Sequence, residues 1–134
     1  MSSEVVTTTY SIPEPFALGL EAVREALTDR DLKIIGQSDL SQRIRRNLRI
    51  HLEPCVVFYV WPPGHLLQTI PAPSSLGLFL PLHVVVSGCG GRTEIHVLKR
   101  ARLEDEAAMA AVGRLQAEVA QALETVAMRR SLVS

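Results

Sequence analysis

Positions 4–12, from Glu4-Val5-Val6 to Ser11-Ile12, are rich in β-branched side chains and predict a first strand. Pro13 and Pro15 follow, and proline is tolerated in the first turn of a helix. Phe16, Leu20, Val23 and Leu27 then recur at steps of four, three and four, which places them on one helical face. Asp29-Arg30-Asp31 closes that helix, and 32–37 reads as a second strand. Between 40 and 49, Leu40, Ile44 and Leu48 repeat every four positions with Arg43, Arg45, Arg46 and Arg49 in the gaps, the pattern of a short amphipathic helix. The run 55–61, Cys55-Val56-Val57-Phe58-Tyr59-Val60-Trp61, is apolar at both parities and predicts a central strand covered on both faces. Pro62-Pro63-Gly64 turns the chain into a second short helix at 65–70.

The clearest local signal is in 82–98, where Leu82–Ser87 and Arg92–Leu98 flank Gly88-Cys89-Gly90-Gly91. Two such runs around a glycine turn predict an antiparallel hairpin. With the turn centred on Cys89-Gly90, paired residues have numbers that sum to 179, so His83 faces His96, Val85 faces Glu94 and Ser87 faces Arg92. Alternation then puts Leu82, Val84, Val86, Ile95 and Val97 on an apolar face. His83, Val85, Ser87, Arg92, Glu94, His96 and Leu98 share the other.

From about 104 to 130 the chain reads as one long helix, with Glu104-Asp105-Glu106 at its start and Arg129-Arg130 at its end, both favourable to the helix dipole. Its stripe Met109, Val112, Gln116, Val119, Leu123 and Val126 has the spacing of a heptad seam. Gly113 and the short length favour packing across the sheet over a free coiled coil, with Val112, Val119 and Leu123 buried. The order β-α-β-(α)-β-α-β-β-α predicts an α+β fold, a mainly antiparallel sheet with helices packed on one face.

Length and composition bound this picture. At 134 residues and 14.7 kDa, residues 1–134 form a single domain. A 47% hydrophobic content excludes a disordered chain, and 21% charged residues exclude a membrane bundle. Fourteen basic residues balance fourteen acidic ones, so net charge draws the chain toward neither nucleic acid nor an anionic membrane. The start, Met1 to Thr7, does not read as a signal peptide. Two cysteines, Cys55 and Cys89, without a CxxC pattern fit a reduced, cytoplasmic protein.

About residues 34–99 the chain resembles a bacterial and archaeal family called domain of unknown function 302. The resemblance lies in Pro54-Cys55-Val56-Val57 ahead of a strand, Pro63 at a short helix, and Leu76-Gly77-Leu78-Phe79-Leu80-Pro81 leading into Val84-Val85-Val86. It implies a small α+β domain, often a dimer, with no established activity. This chain has Trp61-Pro62-Pro63 where family members often carry Cys-Asn-Pro, and Leu80-Pro81-Leu82-His83 where they often carry Leu-Pro-Cys-Asn. Chemistry resting on those cysteines has no counterpart here.

Reactive templates are absent: there is no GxSxG, Walker loop, GxGxxG after a strand, or HExxH. Cys89 lies several residues from either histidine along the strands, roughly 20 Å at about 3.3 Å per residue, which excludes a cysteine–histidine pair. The polar hairpin face offers His83, Glu94, His96 and Arg92 to a small ligand, with Arg43 and Arg46 at its rim. Two histidines fall short of a three-ligand zinc site, so no metal and no cofactor is expected. The bland reading of the same residues is the wet face of a sheet or a polar interface, and that of the arginine run is a solvated helix face. An apolar sheet face left in water marks an interaction site, which points to a homodimer through Tyr59 or Trp61. The expected function is a homodimeric small-ligand-binding or sensory module without catalysis. The alternatives are a small enzyme using a His83/His96 acid–base pair and a purely structural assembly protein.

Overall fold

The computed structural model describes residues 5–42, 53–61, 82–100 and 106–133. The elements in chain order are β1 (Val5–Ile12), α1 (Phe16–Asp29), β2 (Lys33–Asp39), β3 (Cys55–Trp61), β4 (Leu82–Cys89), β5 (Arg92–Arg100) and α2 (Glu106–Val133). The fold is α+β. The strands form one antiparallel sheet in the order β1-β5-β4-β3-β2. Strands β2 to β5 succeed one another across it, and β1 closes the far edge against β5. Helix α1 therefore carries the chain from one edge of the sheet to the other. The two short helices expected at 40–49 and 65–70, with Arg43 and Arg46, and the stretch Leu76–Pro81 lie outside the described residues, apart from a helical turn at 40–42.

Helices α1 and α2 pack on the same face. α1 lies on β2, β4 and β5, and α2 lies on β1 and α1. The core between them holds Ile12, Val23, Leu27, Phe58, Val60, Val84, Val86, Ile95, Val97, Leu115, Val119 and Leu123. Burial alternates along β4 and β5, with Leu82, Val84, Val86, Ile95 and Val97 inside, as the period of two requires. The long helix buries Val119 and Leu123 as expected; the Val112 side chain lies outside those described. Its buried stripe also takes in Leu115 and Ala122, while Gln116 is half-buried. That stripe is broader than a heptad seam, because the helix meets a sheet and a second helix rather than one partner helix.

Helix α1 starts behind Pro15, as the proline pattern predicts. It ends in a Schellman motif. The Leu32 N–H donates to the Leu27 carbonyl (3.1 Å) and the Asp31 N–H to the Thr28 carbonyl (3.0 Å). The motif needs a left-handed residue, and Asp31 fills that position with φ 60°. Leu27 and Leu32 are both buried, so the turn is held by packing. Asp31→Gly is expected to stabilise the fold by about 0.5–1 kcal/mol, since glycine adopts this conformation without steric cost. Urea denaturation with an unchanged m-value would measure it.

The hairpin corrects one expectation. Gly90 and Gly91 have φ of 57° and 82°, the two positive values of a type I′ turn. The turn is therefore Gly90-Gly91, not Cys89-Gly90. A side chain at Cys89 disfavours the left-handed region, so Cys89 stays in β4 and pairs with Arg92. Paired numbers sum to 181 rather than 179: Val85 faces His96 and Ser87 faces Glu94. A shift of two preserves the faces, so His83 and His96 share one side, but they are diagonal neighbours and not opposed. Strand β3 is interior to the sheet, between β2 and β4, and none of its residues is exposed on either side, as its apolar run predicts, though the cover is unequal. Val56, Phe58 and Val60 are buried under the helices; on the other side Val57 is buried, while Cys55, Tyr59 and Trp61 are half-buried.

Candidate functional site

Neither described helix packs on the second face of the sheet. Strand pairing sets its rows: Thr9, His96, Val85, Val57 and Ser38 form one, and Ser11, Glu94, Ser87 and Cys55 the next. Tyr59 faces His83, and Cys89 faces Arg92. Four sequence-derived candidates, His83, Arg92, Glu94 and His96, are thus on one side, as are Tyr59 and Trp61.

Within that layer the side chains form two polar groups separated by Val57 and Val85. On β1 and β5, Thr9 Oγ1 is 3.1 Å from His96 Nδ1, and Glu94 Oε2 is 3.5 Å from His96 Nε2. Arg92 donates from Nη2 to Ser11 Oγ at 3.0 Å and from Nε at 3.3 Å. On β2, β3 and β4, Ser38 Oγ and Tyr59 OH are 2.9 Å apart. The rings of Tyr59 and His83 meet edge to face with centroids 5.0 Å apart, a favoured aromatic geometry. The structure therefore gives His83 and His96 separate partners on different strands. The expected convergence of both imidazoles and the Glu94 carboxylate on one ligand is replaced by a His96–Glu94 pair with a hydroxyl, and a His83–Tyr59 pair with a hydroxyl.

Thr9, Ser11 and Ser38 are the site residues that sequence reasoning missed. The alternation of Thr9 and Ser11 along β1 shows that they share a face, but only the pairing of β1 with β5 reveals which. No group of three potential metal ligands occurs among the described residues. No helix among them is long and apolar enough to cross a membrane. A cleft of about 430 Å³ lies on the helix side, between α1 and α2, floored by Ala22, Ala26, Ala122 and Val126. Arg30 lines it together with Glu25, Asp29 and Thr125, and is bound to Glu118 (3.1 Å) and Gln121 (2.7 Å).

The cysteines differ. Cys89 is exposed and Cys55 is half-buried, and both are free thiols. Burial, and secondarily the charge of Asp39, push the Cys55 thiol above its ordinary value. Asp39 itself is held close, accepting from the Ser41 hydroxyl (2.7 Å) and the Gln42 N–H (2.9 Å) as a helix N-cap does. The thiolate is the reactive form, so Cys55 keeps less of it at neutral pH than an unperturbed thiol. Iodoacetamide at pH 7.5 should add one equivalent at Cys89 and reach Cys55 roughly tenfold or more slowly, since both thiolate fraction and access control the rate. The Cys55 rate should still be climbing with pH beyond the range in which an ordinary thiol levels off. Equal rates, read by peptide mass spectrometry, would contradict this assignment.

Comparison with known proteins agrees with this architecture. The chain is similar to an uncharacterized conserved DUF302 protein from Bacillus stearothermophilus, known from its crystal structure. The two superpose with a TM-score of 0.77 at 19% identity, over 88% of this chain and 95% of the other, a likeness of fold. No curated protein matches the chain. Residues 7–129 match the family described as domain of unknown function DUF302, a span wider than the stretch about 34–99 that carries the resemblance in the sequence. With the match running from β1 into α2, the chain belongs to the DUF302 family.

Proposed function

We propose that this chain is a homodimeric, cytoplasmic small-ligand-binding or sensory module that works through the sheet face opposite its helices. The observation that supports this reading is the one-sided packing of α1 and α2, which leaves His83, Glu94, His96 and Arg92 together in one layer. Their groups suit a small polar ligand: a guanidinium for an anionic group, a carboxylate for a donor, and imidazoles, a group that ordinarily titrates near neutral pH. Tyr59 and Trp61, half-buried on the same side, are the proposed contact with the second copy. A dimer formed there places the ligand at or beside the subunit interface, and burial of at least about 1,000 Å² in total would make it stable.

Native mass spectrometry of the purified protein tests the ligand. A bound small molecule that is retained in gentle conditions and lost from Arg92→Ala or His96→Ala supports this reading. A ligand held equally by both variants would place the site elsewhere. The acid–base pair of His83 with His96 gains no support, because these residues are diagonal and each is engaged with a different partner.

A further inference from the structure

The β1–β5 side of this face places a hydroxyl and a carboxylate near the two ring nitrogens of one imidazole. Thr9 Oγ1 stands 3.1 Å from His96 Nδ1, and Glu94 Oε2 stands 3.5 Å from Nε2. An ionised carboxylate only accepts, so it favours the ring proton on Nε2. In the tautomer with its proton on Nε2, the Nδ1 lone pair faces Thr9 and the Thr9 hydroxyl donates. A hydroxyl donating to a base that a third group orients is the arrangement that activates an oxygen nucleophile. The logic is that of a serine–histidine–aspartate triad with the two ring nitrogens exchanged. Thr9 is exposed, so a substrate can reach its oxygen.

A charged anchor accompanies it. Arg92, exposed, is held at Ser11, which is two residues from Thr9 on β1. Two strand residues span about 7 Å. The guanidinium fork binds a carboxylate through two parallel hydrogen bonds. A substrate that puts its ester carbonyl at Thr9 and a free carboxylate at Arg92 is a half-ester of a short dicarboxylic acid.

We propose that Thr9, His96 and Glu94 form an acyl-transfer centre that hydrolyses half-esters of short dicarboxylic acids, with Arg92 binding the free carboxylate. Thr9 Oγ attacks the ester carbonyl carbon while its proton passes to His96 Nδ1. The tetrahedral adduct collapses, the bond to the alcohol oxygen breaks, and Nδ1 returns the proton to the departing alkoxide. Water then attacks the acyl-threonine and gives a proton to Nδ1. Cleavage of the acyl–Oγ bond restores the Thr9 hydroxyl with that proton. Ester and water become acid and alcohol, with no oxidant and no further reactant. Glu94 is a positioning residue that also offsets the charge of the imidazolium.

The proposal rests on the reading of this face as a ligand site, and its failure can be told apart from failure of that reading. The test uses mono-4-nitrophenyl adipate and 4-nitrophenyl acetate with the full chain in a Cys89→Ser background, so that the exposed thiol does not acylate. The expected result is release of nitrophenol above that caused by free imidazole, with an adipoyl adduct on Thr9. Thr9→Ala should lose about 100-fold or more of that rate, in the range of a removed acid–base contact, and Thr9→Ser should retain it. Glu94→Gln should lower kcat with KM unchanged. Arg92→Gln should lower the ratio of kcat/KM for the adipate half-ester to that for 4-nitrophenyl acetate about tenfold or more. A rate no greater than free imidazole, or one unchanged in Thr9→Ala, would overturn the proposal. Adipate binding that depends on Arg92 but is never accompanied by turnover would overturn it too, while leaving the ligand-binding reading in place.

Discussion

Gly19→Ala is expected to destabilise the protein by about 1–3 kcal/mol, and Gly113→Ala to stabilise it by about 0.5–1 kcal/mol, although both glycines lie inside helices. Intrinsic propensity gives the two substitutions the same sign, because alanine is favoured over glycine in a helix interior by about 1 kcal/mol. Packing separates them. At Gly19, α1 crosses β5 so closely that an added Cβ would overlap Thr93 Oγ1, Cβ and Cγ2. Thr93 cannot move aside, since it is fully buried and its hydroxyl donates to the Glu14 carbonyl at 2.9 Å. The helix must therefore lift, and the contacts of Ala22, Val23 and Leu27 loosen with it. At Gly113 an added Cβ meets nothing within 4 Å. Thermal or urea denaturation of both variants gives the comparison, and two shifts of the same sign would contradict the packing described.

Phe58→Ala should cost about 3–5 kcal/mol, a large share of the roughly 5–15 kcal/mol that holds a domain of this size together. Phe58 is fully buried and heads the core side chains by volume. It lies on the helix side of β3, opposite Gln37 of β2 and Val84 of β4. Its loss also removes a cation–π contact. The Arg24 guanidinium lies 5.0 Å from the ring centroid while donating to Gln37 Oε1 at 2.9 Å. A cation over an aromatic face is worth about 0.5–1 kcal/mol where solvent reaches it. Phe58→Leu should cost much less than Phe58→Ala, as most of the volume stays, and Arg24→Ala should be nearly silent in the Phe58→Leu background. A cost below about 1 kcal/mol for Phe58→Ala, by urea denaturation, would remove Phe58 from the centre of the core.

The α+β class and the alternation in β4 and β5 were legible because each has a period that burial enforces. Leu82, Val84 and Val86 alternate with His83, Val85 and Ser87, and any hairpin register that keeps the apolar set inside holds those sets apart by parity. The register itself depended on which two residues accept a positive φ, and Gly88-Cys89-Gly90-Gly91 offers several centres. The backbone at Gly90 and Gly91 decides it. Partners from distant parts of the chain were not legible. Thr9 and His96 are separated by 87 positions, and nothing local to either announces the other. The same holds for Gly19, whose value appears only once α1 is laid on Thr93. The stretches that carry the family resemblance, Cys55-Val56-Val57 and Val84-Val85-Val86, lie on the adjacent interior strands β3 and β4.

Sedimentation equilibrium at micromolar concentration tests the central claim, that the face opposite the helices joins two copies, most directly. The wild-type chain should run at twice 14.7 kDa. Trp61→Glu or Tyr59→Glu should return it to a monomer with its circular dichroism unchanged, because a half-buried charge at a desolvated contact disfavours association more than it disturbs the core. A wild-type protein that sediments as a single 14.7 kDa species, or a dimer that both substitutions leave intact, would contradict the account.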